Sequence, residues 1–146
     1  MRLADFLPYQ LAVVTEAVSR AVAQVYGVRF ALRRDEWRVL AALAETGEMH
    51  TKAAALYTTL DKMQVSRAVA GLEARALIER AEDPEDRRNR ILRLTPAGRA
   101  LLARLAPMAL AREAFLLESL TAEERHILDA ALAKILARAN QLQRQG

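Results

Sequence analysis

The feature that most constrains the fold is a helix pattern followed directly by a strand pattern, between Asp61 and Thr95. Asp61 can cap the helix while Gln64, three residues on, bonds back to the Asp61 backbone N–H, which is the capping-box arrangement. The sequence predicts a helix that begins near Lys62 and ends near Ala76. Its apolar residues recur at helical spacing and form one stripe that should be buried: Val65, Val69, Leu72 and Ala76.

The opposite face of this helix is basic and polar near its N-terminal half, with small residues between. This composition suits a helix that enters the major groove of DNA, where Arg and Gln can pair with base edges and bulky apolar groups would obstruct. The residues left outside when the stripe packs inward are Lys62, Gln64, Ser66, Arg67 and Ala70.

After the helix the pattern changes to two short strands, Leu77–Ala81 and Arg90–Leu94. The polar segment between them, Glu82–Asn89, is too long for a two-residue turn, so the sequence predicts a β-hairpin with an extended, charged tip. Arg87 and Arg88 in this tip could place a guanidinium in a minor groove, where the negative potential attracts it.

Two carboxylates in the same loop, Asp83 and Asp86, cancel part of its positive charge. One arrangement reconciles these opposite charges. An Asp pairs with an Arg and holds the shape of the loop, while another Arg remains free.

These segments resemble the multiple-antibiotic-resistance regulator (MarR) family of winged helix-turn-helix transcription regulators. The resemblance covers nearly the whole chain, and its most specific part is the Asp-Arg-Arg of the wing followed by Leu-Thr-Pro-x-Gly. It implies a homodimer, a recognition helix at about 62–76 and a wing at about 79–93. The residues that carry it are Met63–Arg67, Leu72–Glu73, Asp83–Arg88 and Leu92–Gly98.

The expected fold class is mainly α (α+β): a winged helix-turn-helix with long N- and C-terminal dimerisation helices and one β-hairpin wing. The chain has only 5 Gly and 4 Pro and is rich in Ala and Leu, which also favours a mostly helical protein. Residues 1–146 are expected to form a single MarR-type domain. Within it, 32–95 would be the DNA-binding lobe, and 1–27 with 96–146 the helical dimerisation region.

The remaining helices are predicted from capping and breaking residues. Gly27 should end the first helix, Thr95 and Pro96 should start a long one, and Thr121 should cap the last. Pro107 should kink or break the long helix. Together the terminal helices offer more apolar surface than one wing domain can cover, so dimerisation through both ends is expected. The predicted spans are about 1–26, 32–45, 52–57, 95–119 and 121–142.

Three residues depart from the family pattern. Leu56 and Tyr57 stand where polar residues are more usual, so either this short helix is shifted in register or its surface is specialised. Ala76 stands where relatives often carry Gly to adopt a left-handed conformation at the helix end.

Composition excludes several classes of function. The chain has no Cys, so disulfides, thiolate metal sites and thiol-based sensing are excluded. His50 and His126 have no ligand partners at metal-binding spacing, and no catalytic motif is present, so we expect neither a metal nor an enzyme. No apolar run is long enough to span a membrane and no signal peptide is visible, so the expected location is cytoplasmic. The net charge of +4 is by itself weak support for nucleic-acid binding.

The resulting hypothesis is a dimeric regulator, most often a repressor in this family, that binds double-stranded DNA at an inverted repeat. Arg67 and Gln64 are expected at base edges, Lys62 and Ser66 at nearby phosphates or bases, and Arg88, with Arg87 second, in the minor groove. Arg90 should contact phosphate or stabilise the hairpin, and Asp86 should orient the wing arginines.

Two alternatives remain open from the sequence. The chain could be a helical protein-interaction module whose Arg-rich hairpin is only a solvated surface. Within the DNA-binding hypothesis, the family resemblance implies release by a small aromatic or lipophilic ligand, but binding could equally be constitutive. The candidate residues for lining a ligand site are Tyr9, Trp37 and Met108, although each is better explained as an ordinary core residue.

Overall fold

The computed structural model describes residues 1–145 and forms two compact units, Met1–Leu110 and a second that begins at Ala111. The mainly helical fold class is confirmed, with six α-helices and three short strands in the described part of the chain. In order these are α1 Leu7–Ala23, α2 Arg34–Thr46, β1 Glu48–His50, α3 Thr51–Thr58, α4 Lys62–Ala74, β2 Ile78–Glu82, β3 Arg90–Leu94, α5 Pro96–Leu117 and α6 Ala122–Gln145.

The first helix ends differently from the prediction. A short 3₁₀ turn at Leu3–Asp5 precedes α1, and the chain continues beyond α1 as a π-helical segment, Gln24–Arg29. The prediction that Gly27 ends the helix was wrong, because Gly27 lies inside that segment. The left-handed residue that follows is Ala31, with φ 52°.

The sheet has three strands rather than the two of the predicted hairpin. Its order is β1-β3-β2, with both pairs antiparallel. Strand β1 pairs Met49 with Leu92 and lies between the second and third predicted helices, where no strand was predicted. The predicted hairpin strands are present, with β2 shifted by one residue. The extra strand ties the start of α3 to the base of the wing.

The core of the first unit lies between α2, α4 and the sheet. Every fully buried large side chain comes from these elements or from α5: Val39, Leu40, Leu43, Val65, Val69, Leu72, Ile78, Leu92 and Leu105. Three of the four predicted stripe residues of α4 are in this set. The fourth, Ala76, is not part of the stripe, because α4 ends at Ala74 and Ala76 is exposed.

The short helix α3 presents its unusual residues to solvent. Ala54 and Thr58, one turn apart, are its buried residues, whereas Leu56 is 87% exposed and Tyr57 is 49% exposed. This burial pattern favours a specialised surface over a shift in register.

Helix α5 begins as predicted. The Thr95 hydroxyl accepts from the Gly98 N–H at 3.0 Å, with Pro96 in the first helical position. Pro107 does not break the helix, which is continuous to Leu117.

In the second unit, Thr121 caps α6 by accepting from the Glu124 N–H at 3.1 Å. None of its described residues, 111–145, is buried, and the predicted apolar face of α6 is largely open to solvent. The apolar side chains of that face can be buried only if another surface covers them.

Candidate nucleic-acid interface

The capping box at the start of α4 is present as predicted. Asp61 accepts from the Gln64 N–H at 2.7 Å, and the Gln64 side-chain oxygen accepts from the Asp61 N–H at 3.0 Å. Gln64 therefore uses its carbonyl to hold its own helix end. Its amide nitrogen remains the group that can donate to a base.

The outer face of α4 exposes the other predicted residues, Lys62, Ser66 and Arg67, and also Met63. Met63 was not among the residues predicted to face DNA, but its side chain is 83% exposed at the second position of the helix. Its exposure follows from helical geometry, because Met63 is two residues from Val65 and so cannot share its buried face.

Arg67 is held by a partner that was not predicted. Its Nε donates to Oδ2 of Asp35, in the first turn of α2, at 3.2 Å. No local pattern links two residues that are 32 positions apart.

The wing loop takes its shape from its two aspartates. Asp86 accepts from the Arg88 backbone N–H at 3.0 Å, and Asp83 accepts from the Glu85 N–H at 2.9 Å and contacts Nε2 of His50 at 2.8 Å. The bond from Glu85 first, and then the one from His50, lower the pKa of Asp83 below its usual value of 3.8.

The prediction of an ion pair between Asp and Arg side chains in the loop was wrong, because Asp86 bonds to the Arg88 backbone instead. Within residues 1–145, Asp86 contacts the backbone of Arg88 and neither guanidinium of Arg87 or Arg88 pairs with a carboxylate. Backbone bonding still fixes the loop, and both arginines are exposed. Arg90 forms a cross-strand ion pair with Glu82 at 3.0 Å.

The junction between α4 and the wing is held from two sides. The Arg75 guanidinium donates to the carbonyls of Phe30 and Ala31 at 3.0 and 3.1 Å. The Thr95 hydroxyl donates to the Ala76 carbonyl at 2.7 Å. Ala76 has φ 55°, the left-handed conformation expected for this position.

Among the three candidate ligand residues, Trp37 lines two cavities, one of about 290 Å³ that it shares with Tyr57 and a second that it shares with Tyr26. The second cavity, about 180 Å³, is bordered by Val18, Ser19, Val22, Tyr26, Arg34, Trp37 and Arg38. The Tyr26 and Trp37 rings are stacked at 6.1 Å between centroids. Tyr9 is 42% exposed on α1, and Met108 packs against the core.

Neither a metal site nor a membrane-spanning helix is found in the described part of the chain. Residues 1–145 contain no group of three His, Asp or Glu side chains arranged to hold a metal ion. Across the same residues, every helix is too short or too polar to cross a bilayer.

Comparison with known proteins identifies this arrangement. Residues 28–89, which include α2–α4 and most of the wing, match the MarR family. A probable transcriptional regulator from Pseudomonas aeruginosa has the same fold, with a TM-score of 0.83 and 29% identity over 92% of this chain and 99% of that one. Over its DNA-binding segment this chain is similar to the MarR family of transcriptional regulators.

Two further MarR-type relatives bear on function. The transcriptional repressor NicR of Pseudomonas putida is 29% identical over 142 residues, which covers 90% of this chain and 88% of that protein. BpsR of Bordetella bronchiseptica, whose DNA binding is regulated by 6-hydroxynicotinic acid, has a TM-score of 0.73 and 26% identity over 86% of this chain and 98% of that one. The family resemblance inferred from the wing and recognition-helix residues is confirmed.

Proposed function

We propose that this regulator is a homodimer that binds double-stranded DNA sequence-specifically and acts as a repressor. One observation carries the proposal: α4 and the wing loop present arginines whose guanidinium ends are exposed, on elements whose backbones are held by capping and loop hydrogen bonds. Guanidinium groups on a rigid helix and a rigid loop suit the contacts that bases and phosphates offer.

The roles follow from what each side chain already does. Arg67 and the amide nitrogen of Gln64 face base edges in the major groove, and Lys62 and Ser66 contact nearby phosphates or bases. Arg88 and Arg87 enter the minor groove. Arg90 stabilises the hairpin through Glu82 and is secondary for DNA, while Asp86 shapes the loop that carries both arginines.

The exposed apolar surface of the terminal helices supports a dimer. We propose that 32–95 is the DNA-binding lobe, with 1–27 and 96–146 forming the dimer interface. When a second copy of the chain covers large apolar side chains that are exposed to water, their burial stabilises the complex. Those exposed on the terminal helices include Leu7, Val14, Val18, Leu128, Leu132, Ile135 and Leu136.

A two-fold dimer dictates the form of the operator. Two recognition helices that enter successive major grooves lie about 34 Å apart, so the half-sites of an inverted repeat should be centred about 10 bp apart. Inserting half a turn of DNA between the half-sites should abolish simultaneous binding.

The test is fluorescence anisotropy on an operator selected from random DNA, with Arg67→Ala and Arg88→Ala beside the wild type. Each should lose about 5- to 150-fold in affinity, corresponding to about 1–3 kcal/mol for a base contact. Arg93→Ala is the matched control, because Arg93 lies in β3 and pairs with Glu48 at 2.6 Å. Equal losses in all three variants would remove the assigned roles. Absence of selective binding by the wild type would favour a protein-interaction module.

Release by an aromatic acid extends the proposal. BpsR responds to 6-hydroxynicotinic acid, and the cavity beside Trp37 combines aromatic rings with Arg34 and Arg38. Aromatic stacking and a guanidinium suit an aromatic carboxylate. A panel of such acids should raise the melting temperature and release DNA, and Arg34→Ala should weaken both effects. DNA binding that no acid changes would leave constitutive repression.

A further inference from the structure

The side chain of Arg67 is joined to a buried carboxylate on another helix. Arg67 Nε lies 3.2 Å from Asp35 Oδ2, and Asp35 is only 5% exposed. The Arg67 side chain is 64% exposed, so its inner edge is bound to protein while most of its surface contacts water. This arrangement fixes the side chain without burying it.

The carboxylate is itself held in place. Asp35 Oδ1 accepts from Arg33 Nε at 3.2 Å and from the Glu36 backbone N–H at 3.0 Å. Asp35 therefore receives hydrogen bonds on both oxygens, with Arg67 the only donor to Oδ2 among residues 1–145. An acceptor held by two other donors cannot swing to follow Arg67, so Arg67 must adapt to Asp35.

The backbone beneath Arg67 is anchored by the same part of α2. Arg33 Nη2 donates to the Arg67 carbonyl at 3.2 Å. One turn later, Gly71 gives room for Glu36, since a Cβ at Gly71 would lie 2.3 Å from Glu36 Oε1. The N-terminus of α2 therefore packs closely on the turn of α4 that carries Arg67.

We propose that Asp35 is a positioning residue that presents Arg67 to a guanine. Asp35 takes the Nε–H and leaves the four N–H groups on the two terminal nitrogens, none of which donates to another residue within 1–145. Two of those groups match the O6 and N7 acceptors of guanine in the major groove. Fixing the rotamer before DNA arrives reduces the entropy lost on binding. The inference rests on the proposed function and adds the prediction that each operator half-site contains a guanine that Arg67 contacts.

A double-mutant cycle tests this arrangement on the selected operator. Asp35→Asn keeps the size of the side chain but removes the charge. It should weaken operator binding by roughly tenfold when Arg67 is present, and by less than about twofold in the Arg67→Ala background. A purely structural role for Asp35 would give the same loss in both backgrounds, and that result would overturn the inference. Tighter binding by Asp35→Asn would also overturn it, because Asp35 would then restrain Arg67 from DNA.

Two more measurements keep the inference testable if Asp35→Asn folds poorly. Arg67→Lys leaves Asp35 in place and keeps a positive charge, but lacks the planar fork, so it should bind the operator as weakly as Arg67→Ala. Replacing each operator guanine in turn by 7-deazaguanine, which lacks the N7 acceptor, should weaken wild type at one position per half-site and leave Arg67→Lys unchanged there. If Arg67→Lys binds the operator as tightly as the wild type, the inference about Asp35 is overturned but the proposed function is not. If no operator can be selected with the wild-type protein, the proposed function itself is overturned.

Discussion

Replacing Ala76 with Gly should make the protein more stable. Ala76 has φ 55°, and its conformation is fixed because its N–H bonds to the Glu73 carbonyl at 2.9 Å and its carbonyl accepts from Thr95 at 2.7 Å. A left-handed conformation costs an L-residue with a Cβ about 1–2 kcal/mol. Glycine removes that cost but adds about 0.4–1 kcal/mol of unfolded-state entropy. The net gain should be about 0.5–1 kcal/mol.

The assay is thermal and urea unfolding at one fixed protomer concentration, since association changes apparent stability. A gain of this size should raise the melting temperature by about 1–4 °C for a chain of this length. Ala74→Gly is the matched control, because Ala74 is exposed in the last turn of α4 with helical geometry. There glycine should cost about 0.5–1 kcal/mol. A loss of stability in Ala76→Gly equal to that of Ala74→Gly would refute the strain argument.

Two further predictions concern the same region. Gly98→Ala should destabilise by several kcal/mol, because its Cβ would lie 2.1 Å from the Leu77 backbone carbonyl oxygen; an unchanged urea midpoint would contradict the close approach. Asp83 should titrate below 3.8, its ordinary value. Because its folded pKa is lowered, its contribution is fully present above about pH 4 and is lost as the pH falls through the folded pKa. NMR titration of Asp83 checks this, and His50→Ala should raise its pKa only partly, since the Glu85 N–H remains; an unperturbed pKa would contradict the loop geometry.

Local patterns explain why α4 could be predicted so closely. Its capping box joins residues three apart, and its stripe is set by the helical period, so both are visible in a short stretch of sequence. The start of α5 at Thr95 and Pro96 was predictable for the same reason. The left-handed Ala76 could be anticipated because the helix end requires that conformation whichever residue occupies it.

Features that depend on distant residues could not be predicted. Strand β1 has three residues and exists through its pairing with β3, so nothing in Glu48–His50 alone marks it as a strand. The Asp35–Arg67 contact links positions 32 apart on different helices. The prediction that Gly27 ends the first helix was wrong because the chain continues through Gly27 in a π-helical segment and adopts the left-handed conformation at Ala31.

Salt-dependent operator affinity tests the central claim most directly. Anisotropy would compare wild type on the DNA upstream of its own gene, on the selected operator, and on a shuffled version, from low to physiological salt. We expect tight, selective binding to the operator. The logarithm of the association constant should fall steeply and linearly with the logarithm of the salt concentration, because a dimer that neutralises several phosphates releases their counterions. Equal, weak binding to all three DNAs, with no steep salt dependence, would contradict the account and leave α4 and the wing as a solvated surface.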